Sequence, residues 1–454
     1  MNKFKWKILA IYEDLYYYIL GLPRFLFVWK DNKKLSLLTF FDRNVKKRPN
    51  DIAFIFEGEK TTWKEANQKV NQYAGFLKSQ KIDKGDCFAI LMDNSPDFLM
   101  ILLASFRIGS IAALINTTVS GEGLKHVINI SNVKLIIAGA SHLSKLTNAL
   151  ENSDLINLPL FSIEDSERIP AEFKDLKDLS KQFSTFDPYE PVMKDVAAYI
   201  FTSGTTGLPK AALVDHAKLV KGSFAGHFLC FNFKTKDRLY MTLPLYHSTG
   251  LVLGWAASLR SGCANIIKPK FSASEFWDDV KKYKANKFIY VGELCRYLMN
   301  LPASETDKSN SIVQISGNGL RPDIWDSFQK RFNIKKIVEI YGATEAVGMT
   351  VNSFGRSGMI GRKRSDSTII HCNKDDGSPI LNEQGYCTKI SEGETGLYIQ
   401  KISSSAKFQG YLDAQASNKK ILQNVFNEGD QYFNTGALIC LLYTSPSPRD
   451  WMVS

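Results

Sequence analysis

Residues 199–212 read Tyr-Ile-Phe-Thr-Ser-Gly-Thr-Thr-Gly-Leu-Pro-Lys-Ala-Ala, and they follow an apolar run that begins at Val196. The run predicts a buried strand that ends in small residues with a hydroxyl group or no side chain. Glycines let the backbone turn tightly and direct several N–H groups at one anion, hydroxyls add donors, and Lys210 supplies a point charge. The pattern therefore predicts a polyphosphate-binding loop. We call this segment the phosphate loop, and its residues are Thr202, Ser203, Gly204, Thr205, Thr206, Gly207 and Lys210.

Two other interpretations of the loop fit the residues less well. Gly204 and Gly207 lie three positions apart and no serine or threonine follows Lys210, so the spacing is not that of a Walker A motif. A flexible surface loop rich in glycine, serine and threonine is the ordinary alternative. A surface loop of this kind rarely follows a buried strand directly, and it rarely carries a fixed lysine. Both features therefore favour the phosphate-binding interpretation.

The composition indicates a globular protein with an anionic ligand or an anionic surface as its partner. Of the 454 residues, 44% are hydrophobic and 23% are charged, which excludes a disordered chain. The net charge of +11 comes from lysines spread along the chain, and no RNA-recognition, helix-turn-helix or zinc-finger spacing appears, so we expect no nucleic-acid partner. The seven cysteines form no Cys-x-x-Cys pair, and we expect reduced thiols in a cytoplasmic protein. Nothing in the sequence indicates the oligomeric state.

The N-terminal segment, residues 1–35, is apolar and basic. Aromatic and aliphatic residues dominate between Phe4 and Trp29, but acidic residues and a proline interrupt them before a membrane-spanning length is reached. Lysines flank this body, as in elements that lie in the bilayer interface. We expect peripheral membrane association, and a helix packed on the globular domain is the alternative.

The pattern of the following residues predicts an α/β fold with stacked βαβ layers. Thr62–Glu65 form a capping box at the start of a helix, because a threonine is followed by a glutamate three positions later. Strands predicted from short apolar runs alternate with helices, which favours parallel sheets. These strands are predicted at residues 88–92, 111–115 and 133–137.

The rest of the chain divides into three further parts. Residues 150–195 are polar and charge-mixed, which predicts a linking excursion without regular layers. Residues 213–340 repeat the alternation of strand and helix. Residues 360–400 are rich in glycine with short alternating segments, which predicts a small β subdomain.

A second chemical motif follows an apolar run that ends at Ile340 and reads Tyr341-Gly342-Ala343-Thr344-Glu345. A tyrosine stacks on a base, a glycine allows close approach, a threonine donates to a phosphate, and a glutamate holds Mg²⁺. Two turns add to it. His247 lies just past a predicted strand, where α/β sheets bind ligands. The turn at Ser316–Leu320, which contains Asn318 and Gly319, offers backbone groups to a purine edge.

Together these segments resemble the adenylate-forming (AMP-dependent synthetase and ligase) superfamily, and in particular its fatty-acid transport protein and very-long-chain acyl-CoA synthetase branch. The resemblance covers residues 36–439. The stretches that carry it within the branch are Ala112–Thr117, Lys270–Asp279, Tyr290–Leu298 and Asn333–Glu345. The family's fold is a large N-terminal domain of stacked βαβ layers with a small β subdomain, followed by a mobile C-terminal domain.

The resemblance implies that the protein activates a long- or very-long-chain fatty acid in two steps. Fatty acid and ATP give acyl-AMP and pyrophosphate, and the CoA thiol then displaces AMP. Lys210, Thr206 and Glu345 would neutralise phosphate charge, with Thr206 and Glu345 holding Mg²⁺.

The same resemblance implies the binding residues. His247 would orient the carboxylate, Tyr341 would flank the adenine with Gly342, Ala343 and Thr344 beside it, and Asn318 with Gly319 would line the purine edge. An acyl tunnel would be walled by Tyr290, Val291, Gly292 and Leu294.

Two departures from the family are visible in the sequence. The family places a ribose-binding aspartate in a Thr-Gly-Asp-Leu segment, whereas this chain has Ala437 after Thr435 and Gly436, which predicts weaker nucleotide binding. Residues 440–454 show no strand or helix period and resemble translated sequencing adapter, so we expect them to be non-native. The mobile C-terminal domain with its catalytic lysine would then be missing, and the chain as written would be weakly active or inactive.

Two alternatives to a fatty-acid ligase remain open. A synthetase for another carboxylic acid is one, although residues 270–298 favour the fatty-acid branch. A non-catalytic fatty-acid uptake or scaffold protein is the other. Ala437 supports it, while the phosphate loop and Glu345 oppose it.

Overall fold

Strand Val196–Thr202 and strand Lys210–Asp215 form an antiparallel hairpin at one edge of a seven-stranded sheet, so the phosphate loop connects two neighbouring strands. The computed structural model describes residues 11–12, 15, 31–151, 153–163, 169–183, 186–202, 207–403, 406–443 and 451–453. The other neighbouring strands of this first large sheet pair in parallel. In spatial order the strands are Phe173–Asp175, Leu160–Ser162, Val133–Ala138, Cys87–Leu91, Ile111–Leu114, Val196–Thr202 and Lys210–Asp215.

The second large sheet has eight strands. In spatial order they are Thr350–Asn352, Lys336–Tyr341, Gln314–Asn318, Lys287–Val291, Arg238–Met241, Ala264–Ile267, Ile52–Phe56 and Glu59–Thr62. Pairing is parallel except at the two outermost strands. The predicted α/β class with parallel layers is therefore confirmed, and the family resemblance gave the right kind of fold.

The sequence analysis did not identify one pair of strands, and one of its expectations about organisation needs correction. Residues 52–62 precede the first series of strands but join the second large sheet, where Phe54 is opposite Asn265. Residues 150–195 also contain more than a linking excursion, because two short strands extend the first large sheet. Phe161 and Phe173 in these strands are both buried, although the charged Glu172 and Lys174 flank Phe173 in the sequence.

Most helices connect successive strands of the two large sheets. The α-helices are Leu37–Lys47, Trp63–Ser79, Pro96–Ile108, Gly121–Ile130, Leu143–Leu150, Leu176–Ser180, His216–Ala225, Ala257–Ser261, Ala273–Tyr283, Gly292–Met299, Pro322–Arg331 and Ala414–Asn418. Gly226–Phe231 and Thr249–Ala256 are π-helical, and Ala140–His142 and Glu305–Lys308 are 3₁₀ turns. The predicted capping box is confirmed, since the Thr62 side chain accepts from the Glu65 N–H and the Glu65 carboxylate accepts from the Thr62 N–H.

The main hydrophobic core joins the two large sheets into one body. Helix Pro96–Ile108 is buried along nearly its whole length, which explains why its sequence is apolar on every side. Phe88 from the first large sheet and Phe54 from the second belong to the same buried cluster. The two large sheets, which contribute the site described below, therefore share one close-packed core.

A small antiparallel sheet follows, as predicted from residues 360–400. In spatial order its strands are Gly361–Arg362, Trp451–Val453, Gln431–Tyr443, Thr395–Lys401 and Ser367–Ile370, and Ile421–Gln423 pairs beside Gln431–Tyr443. The sequence indicated no strand period after Ile439, yet the strand continues to Tyr443 because Ile439 and Leu441 both pack into the core of this sheet. The boundary at residue 440 stays a prediction.

Most of the apolar N-terminal segment falls outside the described residues. Ile11, Tyr12 and Leu15 are exposed, and the Tyr12 ring lies edge-on to Phe354 with centroids 6.3 Å apart. Within the part of the chain that the structure covers, every helix is too short or too polar to cross a bilayer.

Candidate active site

The predicted site residues follow the carboxyl ends of parallel strands in the second large sheet. Val291 is opposite Asn318 in neighbouring strands, and Tyr341 ends the next strand along. His247 comes after strand Arg238–Met241 in the same sheet. Parallel strands bring their carboxyl ends to one edge, where α/β folds bind ligands. The fold thus gathers residues that are far apart in the sequence.

The described ends of the phosphate loop belong to the first large sheet. Thr202 and Lys210 face each other across the hairpin. Ser203, Gly204, Thr205 and Thr206, which the sequence analysis assigned to phosphate and metal binding, lie outside the described residues. Gly207 has a φ of +97°, a left-handed conformation that favours glycine, as expected for a tight turn.

Tyr411 connects this loop to the Tyr341–Glu345 segment, and the sequence analysis did not identify it. Its hydroxyl donates to Glu345 Oε1 at 2.7 Å and is also hydrogen-bonded to the Thr202 side chain. The Lys210 Nζ atom lies 5.9 Å from the centre of the Tyr411 ring. Burial and the neighbouring Glu345 raise the pKa of Tyr411, so the phenol stays protonated and remains a donor.

Thr344 is held in place from two sides. Lys218 Nζ donates to the Thr344 carbonyl oxygen at 2.6 Å, and the Thr344 and Ser248 hydroxyls are 2.9 Å apart. Burial lowers the pKa of Lys218 to about 8, and the carboxylates of Asp215 and Glu345 oppose that shift. Asp215 also caps helix His216–Ala225, where it accepts from the Lys218 N–H at 2.7 Å. The Tyr341–Glu345 segment is therefore fixed to the helix that follows the phosphate loop.

His247 is half-buried next to this segment. Its ring packs against that of Tyr246, with centroids 4.8 Å apart. Burial lowers the pKa of His247 below its usual value, so the imidazole is neutral at pH 7. A neutral imidazole can donate a hydrogen bond to a carboxylate without pairing with it as an ion. This protonation state suits the predicted role of orienting the acid.

A buried carboxylate supports the predicted purine turn. Glu339 Oε1 accepts from the backbone N–H groups of Gly319 and Leu320, and Glu339 Oε2 accepts from the Tyr290 hydroxyl at 2.5 Å. Burial raises the pKa of Glu339 to about 7. Because the Gly319 N–H is used in this way, the turn can offer a purine its carbonyl oxygens and the Asn318 side chain.

The residues predicted to wall an acyl tunnel lie beside that turn. Tyr290 is fully buried with its hydroxyl bound to Glu339, while Val291 and Gly292 are half-buried. A Cβ atom at Gly292 would lie 1.6 Å from the Gly319 carbonyl oxygen, so only glycine allows the two strands' ends to approach this closely. Leu294 is buried in the following helix. The tunnel itself stays a prediction, and these contacts place its expected wall against the purine turn.

Tyr341 and Ala437 are linked through Thr435, whose side-chain oxygen accepts from the Ala437 N–H at 3.1 Å, although 96 positions separate the two in the sequence. Both pack against the core of the small sheet, and the Tyr341 ring lies edge-on to Tyr398 at 6.0 Å. The Tyr341 hydroxyl is hydrogen-bonded to the Thr435 side chain. The departure at Ala437 is therefore located beside the tyrosine expected to flank the adenine.

Glu345 has suitable chemistry for Mg²⁺ because carboxylate oxygens are the ligands that this ion prefers. One of its oxygens is engaged by Tyr411, and the side chain is 9% exposed. No group of three or more histidine, cysteine or acidic residues that could hold a metal occurs among the described residues. A metal at Glu345 would therefore need further oxygen ligands, which a bound polyphosphate can provide.

Comparison with known proteins agrees with the resemblance. The profile of the AMP-binding enzyme family matches residues 41–393. A medium/long-chain-fatty-acid–CoA ligase of Mycobacterium tuberculosis is 32% identical over 407 residues, which are 90% of this chain and 67% of the ligase. Long-chain fatty acid transport protein 6 of Homo sapiens is 35% identical over 430 residues, which are 90% of this chain and 68% of that protein.

The fold is also shared with solved structures. A benzoate CoA ligase from Burkholderia xenovorans superposes with a TM-score of 0.75 at 17% identity, covering 92% of this chain and 79% of the ligase. At that identity the likeness concerns the fold alone. The profile match over residues 41–393 and the identity to these relatives confirm the resemblance, and the chain belongs to the AMP-binding enzyme family.

Proposed function

We propose that this protein activates long- or very-long-chain fatty acids to acyl-CoA through an acyl-AMP intermediate. The observation that carries the proposal is the meeting of the phosphate loop and the Tyr341–Glu345 segment, which Tyr411 joins by contacts to both. Relatives at 32% and 35% identity are named as a fatty-acid–CoA ligase and a long-chain fatty acid transport protein, which supports fatty acids as the substrate class.

The chemistry needs an activated acid, because a carboxylate is a poor electrophile. A carboxylate oxygen forms a bond to the α-phosphorus of ATP, the bond from that phosphorus to the bridging oxygen breaks, and pyrophosphate leaves. The CoA sulfur then bonds to the acyl carbon, and AMP leaves with the electron pair of the acyl–oxygen bond. Negative charge accumulates on the phosphate oxygens in the first step, and fixed donors stabilise it.

The residues of this chain divide that work. Lys210 places a positive charge at the phosphates, and the hydroxyls of the phosphate loop, including Thr206, add donors. His247, neutral at pH 7, orients the carboxylate. Mg²⁺, when bound, would neutralise phosphate charge, and Glu345 and Thr206 are the residues that would hold it.

The nucleotide lies, in this proposal, between Tyr341 on one side and the Asn318–Gly319 turn on the other. Gly342 and Ala343 are exposed there, so the backbone is accessible to a ligand. The acyl chain extends along Tyr290–Leu294 next to the turn. CoA is the second co-substrate.

We further propose a cytoplasmic protein that associates peripherally with a membrane. All seven cysteines are free, and six of them are buried, as expected for a reducing compartment. The exposed Ile11, Tyr12 and Leu15 and the net charge of +11 support contact with an anionic bilayer surface.

A specific observation favours the second candidate, a fatty-acid uptake or scaffold protein with reduced catalysis. Ala437 lies close to Tyr341, the residue expected to flank the adenine, and alanine offers no acceptor for a ribose hydroxyl. In this case fatty-acid binding would persist while nucleotide binding is weak.

The test is ATP–pyrophosphate exchange in the presence of palmitate, with benzoate as the comparison acid. We expect weak but palmitate-dependent exchange, in line with the reduced activity expected of the chain as written, and less exchange with benzoate. Exchange that prefers benzoate would contradict the substrate class. Palmitate binding without ATP binding or exchange would instead support the uptake or scaffold candidate.

A further inference from the structure

Tyr411 lies outside the named strands of the large sheets, yet burial and several backbone hydrogen bonds fix its position. Its side chain is 6% exposed. Its backbone pairs with Ala212, and this pairing is extended by the Leu213 N–H to the Gly410 carbonyl at 3.1 Å and the Leu412 N–H to the Ala211 carbonyl at 3.0 Å. The segment therefore adds to the strand that begins with Lys210.

A second set of contacts fixes the turn that precedes Tyr411. The Tyr411 N–H donates to Ser417 Oγ at 2.8 Å. Gly410 has a φ of +79°, and a Cβ atom there would lie 2.7 Å from the same Ser417 oxygen. The Tyr411 ring is thus presented to the site from a rigid backbone, as a precisely supported functional residue requires.

The side chain contacts three residues that the sequence analysis assigned to the site. Its hydroxyl is bound to Thr202 and Glu345, and its ring lies 5.9 Å from Lys210 Nζ. Thr202 and Lys210 are the two described ends of the phosphate loop. Glu345 lies in the loop that follows strand Lys336–Tyr341 of the second large sheet, so Tyr411 bridges the two halves of the site.

A neutral side chain between Lys210 and Glu345 has an electrostatic advantage over a direct contact between them. Lys210 and Glu345 carry opposite charges, and a direct ion pair would neutralise both before a ligand arrived. In the described part of the chain, no ion pair joins them, and each instead contacts Tyr411. A phenol donates a hydrogen bond to the carboxylate and offers its ring face to the ammonium group, without cancelling either charge.

We propose that Tyr411 is a positioning residue that keeps Glu345 and Lys210 apart and oriented for a metal-bound nucleoside triphosphate. This inference rests on the proposed function, because it concerns the same ATP site. The hydroxyl of Tyr411 orients the Glu345 carboxylate, and its ring contacts the Lys210 ammonium group. Removing the hydroxyl alone should therefore weaken the metal-dependent part of ATP binding, and removing the ring should also weaken the metal-independent part.

Calorimetric titration of the purified 454-residue protein with ATP, in Mg²⁺ and separately in EDTA, separates the two effects. For Tyr411→Phe we expect the Kd in Mg²⁺ to rise about tenfold and the Kd in EDTA to change less than about twofold, since the lost bond is to a charged group. For Tyr411→Leu we expect the Kd in EDTA to rise as well, by about threefold, because the cation–π contact is lost.

Tyr432→Phe is the matched control, because Tyr432 is a similarly buried tyrosine of the small sheet. It should bind ATP like the wild type in both buffers. Melting temperatures of the two phenylalanine variants should agree within a few degrees, and this comparison remains available if Tyr411→Leu does not fold.

Four outcomes would overturn the proposed role of Tyr411. A Tyr411→Phe variant that binds as tightly as the wild type in Mg²⁺, or one that loses affinity equally in EDTA, overturns the positioning role and leaves the proposed function intact. A large loss of thermal stability with no Mg²⁺-dependent difference also overturns it, since the tyrosine would then be structural. A wild-type protein that binds no ATP overturns both this inference and the proposed function.

Discussion

The two sides of the candidate site are supported by different chemistry. At the phosphate side, Lys210 and Glu345 meet through a neutral tyrosine, so their charges remain available. At the purine side, Glu339 is buried and its oxygens are occupied by the Gly319 and Leu320 N–H groups and the Tyr290 hydroxyl. In the proposed function the first carboxylate serves a ligand, whereas the second shapes a turn. Both carboxylates are buried, so the number of hydrogen-bond donors around each, more than residue type or burial, distinguishes them.

The phosphate side should be the more sensitive in activity. Replacing Lys210 with alanine removes the cation at the phosphates, and we expect ATP–pyrophosphate exchange to fall by about 10²–10³ while the fold is retained. Exchange and far-ultraviolet circular dichroism measure the two effects. Lys64→Ala, at an exposed helical lysine, is the control and should be active. An unchanged exchange rate in Lys210→Ala would remove the phosphate loop from the proposed mechanism.

The purine side should be the more sensitive in stability. Glu339→Ala leaves two backbone N–H groups and the Tyr290 hydroxyl without their acceptor, and we expect the free energy of unfolding to fall by about 3 kcal/mol. Chemical denaturation provides the measurement. Glu339→Gln retains an acceptor and should lose about 1 kcal/mol. If the alanine variant were as stable as the glutamine variant, the turn would not depend on this carboxylate.

The buried carboxylate also predicts a pH dependence. Burial raises the pKa of Glu339 from an ordinary value of 4.5 to about 7 in the folded state. The folded protein then binds more protons than the unfolded chain, so this stabilising contribution is complete below pH 4.5 and is lost as the pH rises through about 7.

The measurement is the free energy of unfolding of the wild type minus that of Glu339→Gln, between about pH 4.5 and pH 8. We expect this difference to decrease with rising pH by up to about 3 kcal/mol. Tyr290 and Cys295 face Glu339, and burial raises both of their pKa values, so neither titrates in this range. A difference that is constant or increases with pH would show that Glu339 is ionised throughout.

The smallest effect is expected at Ala437, a position near Tyr341 that lacks a polar side chain. Ala437→Asp restores an acceptor beside Tyr341, and we expect the Kd for ATP to fall about tenfold, as for a hydrogen bond to a charged group. Calorimetry measures it, and Ala437→Ser provides a neutral comparison with a smaller gain. Weaker binding of ATP by Ala437→Asp would indicate that position 437 does not face the ribose.

The local parts of this comparison could be predicted from the sequence. The strand before the phosphate loop, the capping box at Thr62–Glu65 and the strand ends at Asn318 and Tyr341 all depend on patterns within a few residues. The family resemblance added the expectation that these segments form one site, and the comparisons with known proteins confirm the family.

The residues that connect the segments could not be predicted in the same way. Tyr411 lies 66 positions from Glu345 and about 200 from the phosphate loop, and the sequence around it has no local pattern that indicates a ligand. Its position depends on backbone pairing with strand Lys210–Asp215, which is distant in the sequence. Glu339 did carry a signal, because a glutamate inside the apolar run Ile337–Ile340 is rarely buried without a specific partner. The pairing of strand Ile52–Phe56 with the second large sheet could not be predicted either, because its partner at Asn265 is distant in the sequence.

The pairing of residues 410–412 with strand Lys210–Asp215 has a consequence for solubility. That strand is the last of the first large sheet, and an uncovered edge strand offers unpaired N–H and C=O groups to other molecules. The Gly410 carbonyl and the Leu412 N–H occupy part of this edge through Leu213 and Ala211. The segment that supplies a tyrosine to the site therefore also protects the protein from edge-to-edge aggregation.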